Sequence, residues 1–118
     1  MKKYLFVLRR LPSRGNHVVE ALDMILTTAA FDQKVSLLFA DDGVLQLKSG
    51  QQPEAMGLKD SSAIFKALEV YDVHDLYAES ESLAARGLAP DDLILPVRMI
   101  GRRDIASLLQ AHEVLIPD

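Results

Sequence analysis

Asp41 and Asp42 form the acidic pair best placed for chemistry in this sequence. They follow the apolar segment Val35–Phe39, which reads as a buried strand, and ligands bind beyond the carboxyl ends of strands in open α/β sheets. Adjacent carboxylates can bind Mg²⁺ or act in acid–base catalysis. However, Asp42-Gly43 after a strand is also a common turn signal, and no nearby lysine or third carboxylate completes a site. A structural turn is therefore favoured over a catalytic pair.

Other familiar chemistries lack their residues or their spacing. The chain has no cysteine, which excludes disulfides, thiolate metal sites and thiol nucleophiles. The three histidines, His17, His74 and His112, do not have the short spacing of a metal motif. Neither a glycine-rich phosphate loop nor a serine nucleophile elbow occurs. We therefore predict no catalytic residue, no metal ligand and no cofactor-binding residue.

The arginines are unevenly distributed. One cluster follows the first predicted strand, and the other lies at the strand near residue 97 and just beyond it. In a parallel sheet both clusters are expected at the carboxyl edge. We call this set the basic rim, a candidate surface for a phosphate backbone or an acidic partner, although a solvated surface is the ordinary role of any one charge. Its members are Arg9, Arg10, Arg14, Arg98, Arg102 and Arg103.

The net charge of −4 argues against a chain that holds nucleic acid over its whole surface. No apolar run approaches the roughly 20 residues that cross a bilayer. The N-terminus resembles a signal peptide in having Lys2 and Lys3 before an apolar segment, but Tyr4–Leu8 is too short and arginines follow at once. We expect a cytoplasmic protein, and its 118 residues predict one domain, residues 1–118.

The local pattern predicts strands that alternate with helices. Short apolar runs predict strands over residues 4–8, 35–39, 75–78, 97–100 and 114–116. Helices are predicted after the possible caps Asn16, Asp60 and Asp104 and over Ser80–Arg86, with a helical turn at 44–47. Gly87 is placed to end the short helix at C′. This order favours an α/β fold with a mainly parallel sheet of about five strands and helices on both faces.

Several segments also follow one another in a recognisable order. They are Glu20–Asp23, Asp42–Leu47, Gly50–Pro53, Phe65–Leu68 with Tyr71-Asp72, and Arg86–Leu88. Each segment alone is weak, but the ordered set resembles the DsrE/DsrF family, and within it the TusC (DsrF-like) branch. The resemblance covers essentially the whole chain.

This resemblance implies a single three-layer α/β/α domain with a parallel five-stranded sheet. It also implies a subunit beside TusB-like and TusD-like chains, in a heterohexamer with two copies of each. Such a complex relays persulfide sulfur through a TusE-like acceptor toward 2-thiouridine at the tRNA wobble position. No membrane is expected among its partners. Three alternatives stay open: a DsrF-like subunit in dissimilatory sulfur metabolism, a stand-alone small-ligand module, and an enzyme that uses Asp41 and Asp42.

In catalytic subunits of this family, a cysteine near the end of the third strand or the start of the next helix carries the persulfide. The corresponding region here is about Glu79–Ser82, which has no cysteine. A serine hydroxyl is far less acidic than a thiol and forms no persulfide. The resemblance therefore implies a non-catalytic structural or docking subunit whose partners carry the sulfur.

Such a subunit needs a surface to offer to its partners. Val44, Leu45 and Leu47 are apolar residues among turn formers. Apolar residues outside a regular helical stripe often bury against another chain. We predict that they belong to a subunit interface, the alternative being that they pack on their own domain.

Overall fold

The computed structural model describes residues 2–9, 17–31, 33–47, 68, 70–93 and 97–117. Its strands are β1 (Lys3–Leu8), β2 (Lys34–Phe39), β3 (Asp75–Glu79), β4 (Arg98–Ile100) and β5 (Val114–Pro117). Its α-helices are α1 (His17–Ala30), α2 (Ser80–Ala85) and α3 (Ile105–Gln110). Short 3₁₀ helices occupy Asp41–Leu47, Pro90–Asp92 and Arg102–Asp104.

The five strands form one parallel sheet in the order β4-β3-β2-β1-β5. From β1 to β4 each strand is added on the same side of its predecessor, and β5 then returns to the free side of β1. Right-handed crossovers place α1 and α2 on one face of the sheet and α3 on the other. The predicted parallel five-stranded α/β fold is therefore confirmed.

The larger of two apolar cores lies on the face that α1 and α2 cover. Alternate strand residues such as Phe6, Leu37 and Leu76 meet Ile25 of α1 and Leu83 of α2 there. All five side chains are buried. Leu26 and Ala29 pack against the same core, so the described end of α1 presents one apolar face to the sheet.

The smaller core lies on the opposite face, which α3 covers. Leu5, Val7 and Leu38 are buried there, and Ile105 and Leu108 of α3 pack against them. Residues of β1 that point in opposite directions are thus both enclosed. This explains why β1 and β2 are apolar at nearly every position and do not alternate with polar residues.

Helix α2 ends in a Schellman motif. Gly87 has a φ of +66° and donates its N–H to Ala84 O, while Leu88 N–H reaches Leu83 O. Leu83 and Leu88 are both buried, which supplies the apolar contact that accompanies this motif. The predicted helix stop at Gly87 is confirmed.

Two cap predictions and one helix prediction fall outside the described residues. Asn16 and Asp60 are not described, and of the helix predicted after Asp60 only Leu68, Val70 and Tyr71 are, with Leu68 in the larger core. Asp104 does precede α3, but its side chain makes no capping hydrogen bond. The reason is that residues 102–104 already form a 3₁₀ turn that runs directly into α3. In the part of the chain that the structure describes, no helix is long and apolar enough to cross a membrane.

Candidate functional site

The β3–α2 junction, residues 79–82, lies at the carboxyl edge of the sheet. Glu79 is the last residue of β3 and Ser80 the first of α2. The register pairs Glu79 with Ile100, the last residue of β4, and Asp41 begins the 3₁₀ helix that follows β2. The ends of three neighbouring strands therefore meet around this junction.

Glu79 and Ser82 are buried polar residues that form the centre of the junction. Ser82 Oγ donates a hydrogen bond to Glu79 Oε1 at 2.5 Å and accepts one from the backbone N–H of Asp41 at 2.8 Å. Arg102 Nη2 donates to the same Glu79 oxygen at 3.0 Å. A buried carboxylate is costly unless a charge and hydrogen bonds compensate it, and here both are present.

These contacts determine the ionisation of the pair. Burial raises the pKa of Glu79, but the hydrogen bonds from Arg102 and Ser82 outweigh it and hold that pKa below its ordinary value of 4.5. The same hydrogen bond, with the charge of Glu79, raises the pKa of Arg102. Glu79 and Arg102 are therefore an ion pair at neutral pH, and Glu79 is a weak base.

Glu81 extends this network along the surface. Its carboxylate accepts the backbone N–H of Arg102 at 2.9 and 3.1 Å, and the hydroxyl of Ser80 at 2.9 Å. The backbone N–H of Arg102, followed by the Ser80 hydroxyl, lowers the pKa of Glu81. Ser80 Oγ also lies 3.4 Å from the carbonyl oxygen of Ile100. The junction is thus tied to the end of β4 through both main chain and side chains.

Asp41 and Asp42 do not converge on a shared site. Asp42 Oδ1 accepts hydrogen bonds from Arg86 Nε at 3.2 Å and Nη2 at 2.9 Å, and Arg86 Nη1 donates to the carbonyl oxygen of Ser82 at 3.1 Å. Asp41 is exposed and has a φ of +49°. This geometry agrees with the turn interpretation. Among the described residues, no group of three His, Cys, Asp or Glu side chains is arranged to hold a metal ion.

The contacts of the junction hold neighbouring segments of the chain in place. Ser82 is 1 % exposed, and its hydroxyl proton is directed at a carboxylate rather than at a histidine base. The network instead connects the turn after β2, the end of β3 and the turn after β4. Its described members are Asp41, Glu79, Ser80, Glu81, Ser82 and Arg102.

A family model described as DsrE/DsrF-like matches residues 2–117. The chain belongs to the DsrE/DsrF-like family. A protein TusC homolog of Pseudomonas aeruginosa is 40% identical over 112 residues, which cover 95% of this chain and 94% of that protein. The intracellular sulfur oxidation protein DsrF of Allochromatium vinosum is 43% identical over 94 residues, covering 80% of this chain and 69% of that one.

Solved structures agree with the fold of this DsrE/DsrF-like chain. The crystal structure of the ychN protein from E. coli superposes with a TM-score of 0.83, at 16% identity and full coverage of both chains. A protein of unknown function, MTH1491 from Methanobacterium thermoautotrophicum, gives 0.75 at 18% identity, also at full coverage of both. At these identities the likeness concerns the fold alone.

The candidate interface residues of this family member lie mostly inside it. Val44 and Leu47 are completely buried and belong to the larger core, because the 3₁₀ helix after β2 turns them under α2. They are core residues of this chain, and a partner cannot reach them. Leu45 is only partly buried, so it alone of the three retains surface that another chain can cover.

Of the described members of the basic rim, Arg9, Arg102 and Arg103 lie at the carboxyl edge of the sheet and Arg98 does not. Arg9 directly follows β1, whereas Arg102 and Arg103 follow β4. Two strands lie between β1 and β4, which places these positions about 14 Å apart. Arg98 is the first residue of β4 and not at its carboxyl end. Arg10 and Arg14 lie outside the described residues, so binding by the rim stays a prediction.

Two residues of the site were missed from the sequence. In the sequence, Glu79 stands out only as part of the region without cysteine, and Arg86 only as the end of a short predicted helix. The one available signal was an acidic residue at the end of a strand buried on both faces. Such a residue requires a cationic partner, but its identity depends on the neighbouring strand.

Proposed function

We propose that this chain is a non-catalytic subunit of a cytoplasmic sulfur-relay complex. It takes a TusC-like position beside TusB-like and TusD-like chains, with two copies of each. The complex passes persulfide sulfur to a TusE-like acceptor and toward 2-thiouridine at the tRNA wobble position. The similarity over nearly the full length to a protein named TusC homolog supports this proposal.

One observation supports the proposal that this chain is not a catalytic subunit. The β3–α2 junction, where the family's catalytic subunits are expected to carry a cysteine, consists of Glu79, Ser80, Glu81 and Ser82. Its hydroxyls already donate to carboxylates, and a hydroxyl forms no persulfide. In the proposed complex, sulfur therefore travels on a cysteine of a partner chain.

Assembly is tested by co-expression with candidate TusB-like and TusD-like chains, followed by native mass measurement. We expect one species with two copies of each of the three chains. Expression of this chain alone is the matched control, and it should give a folded product that is less stable than the complex, because its interfaces are exposed. A stable monomer that joins no complex would refute the assembly.

Sulfur transfer is tested on the purified complex with a persulfide donor and intact-mass measurement of each chain. We expect a gain of one sulfur atom on a cysteine-bearing partner and none on this chain. Omission of this chain should reduce loading or transfer to the TusE-like acceptor. If transfer proceeds equally well without it, the chain is not a working subunit of the relay.

The second candidate is a DsrF-like subunit in dissimilatory sulfur metabolism. It is favoured by the 43% identity to the intracellular sulfur oxidation protein DsrF. Deletion of the gene separates the two pathways. Loss of 2-thiouridine from tRNA supports the first, whereas normal 2-thiouridine with impaired oxidation of stored sulfur supports the second.

A further inference from the structure

Both serine hydroxyls of the β3–α2 junction are directed at carboxylates. Ser82 Oγ donates to Glu79 at 2.5 Å, and Ser80 Oγ donates to Glu81 at 2.9 Å. Each acceptor is also held from a second side by Arg102, which binds Glu79 through Nη2 and Glu81 through its backbone N–H. An atom that replaces either hydroxyl oxygen therefore meets a carboxylate that is fixed in place.

The guanidinium groups that contact the junction are already paired. Arg102 is paired with Glu79, and Arg86 is paired with Asp42. A thiolate in place of either hydroxyl would lie within hydrogen-bond distance of a carboxylate, and this like charge favours the protonated thiol. The start of α2, and the N–H of Asp41 at residue 82, act in the opposite direction and favour the thiolate. The ionisation of a sulfur atom placed here therefore depends on whether the carboxylate contact is the stronger influence.

We infer that the β3–α2 junction excludes a thiolate, so that a sulfur atom at residue 80 or 82 keeps its proton and hydrogen-bonds to the adjacent carboxylate. The thiolate is the nucleophilic form and reactive cysteines lie in electropositive surroundings. The junction is thus unsuited to persulfide chemistry because a carboxylate faces each hydroxyl, in addition to its lack of cysteine. This inference concerns the isolated chain and does not depend on the proposed complex.

The test uses the full chain with single cysteines, since the native chain has none. Ser82→Cys and Ser80→Cys report on the junction, and Ser107→Cys on the exposed surface of α3 is the matched control. For each variant, the pH midpoint of alkylation is measured and checked by the ultraviolet absorbance of the thiolate. The midpoints of the variants are compared, rather than the alkylation rates, because a midpoint does not depend on steric access to the thiol. We expect the control near pH 8.5 and the junction thiols at least about one unit higher, which makes them about tenfold less ionised at neutral pH.

Removal of the adjacent carboxylate tests whether its charge causes the raised pH midpoint of each junction thiol. Glu79→Gln should lower the midpoint of Ser82→Cys by about one unit, and Glu81→Gln should do the same for Ser80→Cys. Because Glu81 is exposed and Ser80 is partly exposed, the second pair keeps the test decisive if the buried pair disturbs folding. Junction midpoints at or below that of the control, or midpoints that the glutamines do not change, would overturn the inference. The proposed assembly would then still be tested independently by native mass.

Discussion

At the residue scale, Glu79 shows how one buried charge organises a surface. Its side chain is 6% exposed, whereas that of its partner Arg102 is 65% exposed. The pair is therefore asymmetric, because the carboxylate depends on the guanidinium more than the guanidinium depends on the carboxylate. Substitution of either residue changes stability mainly through what happens to Glu79.

Arg102→Ala should destabilise the chain, because it leaves Glu79 buried with only the hydrogen bond from Ser82. We expect a measurable loss in the free energy of unfolding, smaller than for a fully buried pair because Arg102 is largely solvated. Urea denaturation measures it. Arg103→Ala, at the exposed neighbouring residue, is the control and should change stability by less than about 0.5 kcal/mol. Equal effects of the two variants would contradict the role of the pair.

The depressed pKa of Glu79 predicts a pH dependence. Since the native pKa lies below the ordinary 4.5, the ionised carboxylate contributes stability that is complete above pH 4.5 and is lost as the pH falls through the native value. Glu79→Gln should be less stable than the native chain at pH 7, with a difference that shrinks on acidification to about pH 3. Urea denaturation at a series of pH values measures this, and a constant difference would be incompatible with it.

Gly43 is required by the close approach of two backbone segments. A Cβ built there would lie 1.8 Å from the carbonyl oxygen of Leu8 at the end of β1. Gly43→Ala should therefore cost about 3 kcal/mol or more, because backbone must move. Gly101→Ala is the matched control, since its Cβ would meet Asp104 at an ordinary 3.6 Å and its φ of −72° suits alanine. Thermal or urea unfolding that ranks the two variants equally would show this account to be incorrect.

Residue types in the sequence predicted part of this site. The turn at Asp42-Gly43 and the lack of a thiol at residues 79–82 could both be predicted, because they depend only on local residue types. The Glu79–Arg102 pair was not, since it joins residues 23 positions apart through the packing of β3 on β4. Arg102 was instead assigned to a solvent-facing rim. Periodicity does not distinguish a paired surface arginine from a free one.

At the element scale, α2 is anchored to the 3₁₀ helix after β2 by a partly exposed ion pair. Arg86 at its C-cap holds Asp42 through two nitrogens, with side chains that are 26% and 47% exposed. Asp42→Asn and Arg86→Met, alone and combined, should give a coupling energy of about 0.5–1 kcal/mol. Asp72→Asn is the control, because Asp72 is 94% exposed, its contact with His74 Nε2 at 3.5 Å is solvated, and asparagine tolerates its φ of +61°. A coupling near zero would show that packing alone holds α2.

Element boundaries followed from short-range signals more reliably than element types did. The described strands match their predicted ranges to within one residue, because apolar runs are bounded by charged or turn residues. Residues 41–47 were predicted to be a turn with four helical residues, but they form a 3₁₀ helix of seven. The difference arises because Val44 and Leu47 are three residues apart, and the 3₁₀ repeat of three places both in the larger core.

At the scale of the whole molecule, the strand order was beyond the sequence pattern. Alternating strands and helices indicate a parallel sheet, but this pattern does not determine on which side of β1 the last strand is added. The return of β5 to β1 is what places α3 on the otherwise uncovered face, where Leu5, Val7 and Leu38 need burial. This choice depends on the joint packing of both layers, so no single segment encodes it.

Assembly is also a property of the whole molecule, and the buried position of Val44 changes how it must be tested. Val44→Asp places an unpaired charge in the larger core, which should cost about 3–5 kcal/mol and abolish folding and assembly together. Leu45→Asp should cost only about 1–2 kcal/mol, since Leu45 is partly exposed, yet prevent association with partner chains if it lies in their interface. Circular dichroism of the isolated variants and native mass of the co-expressed complexes separate the two effects. A folded Leu45→Asp chain that assembles normally would remove the last of the three candidate interface residues.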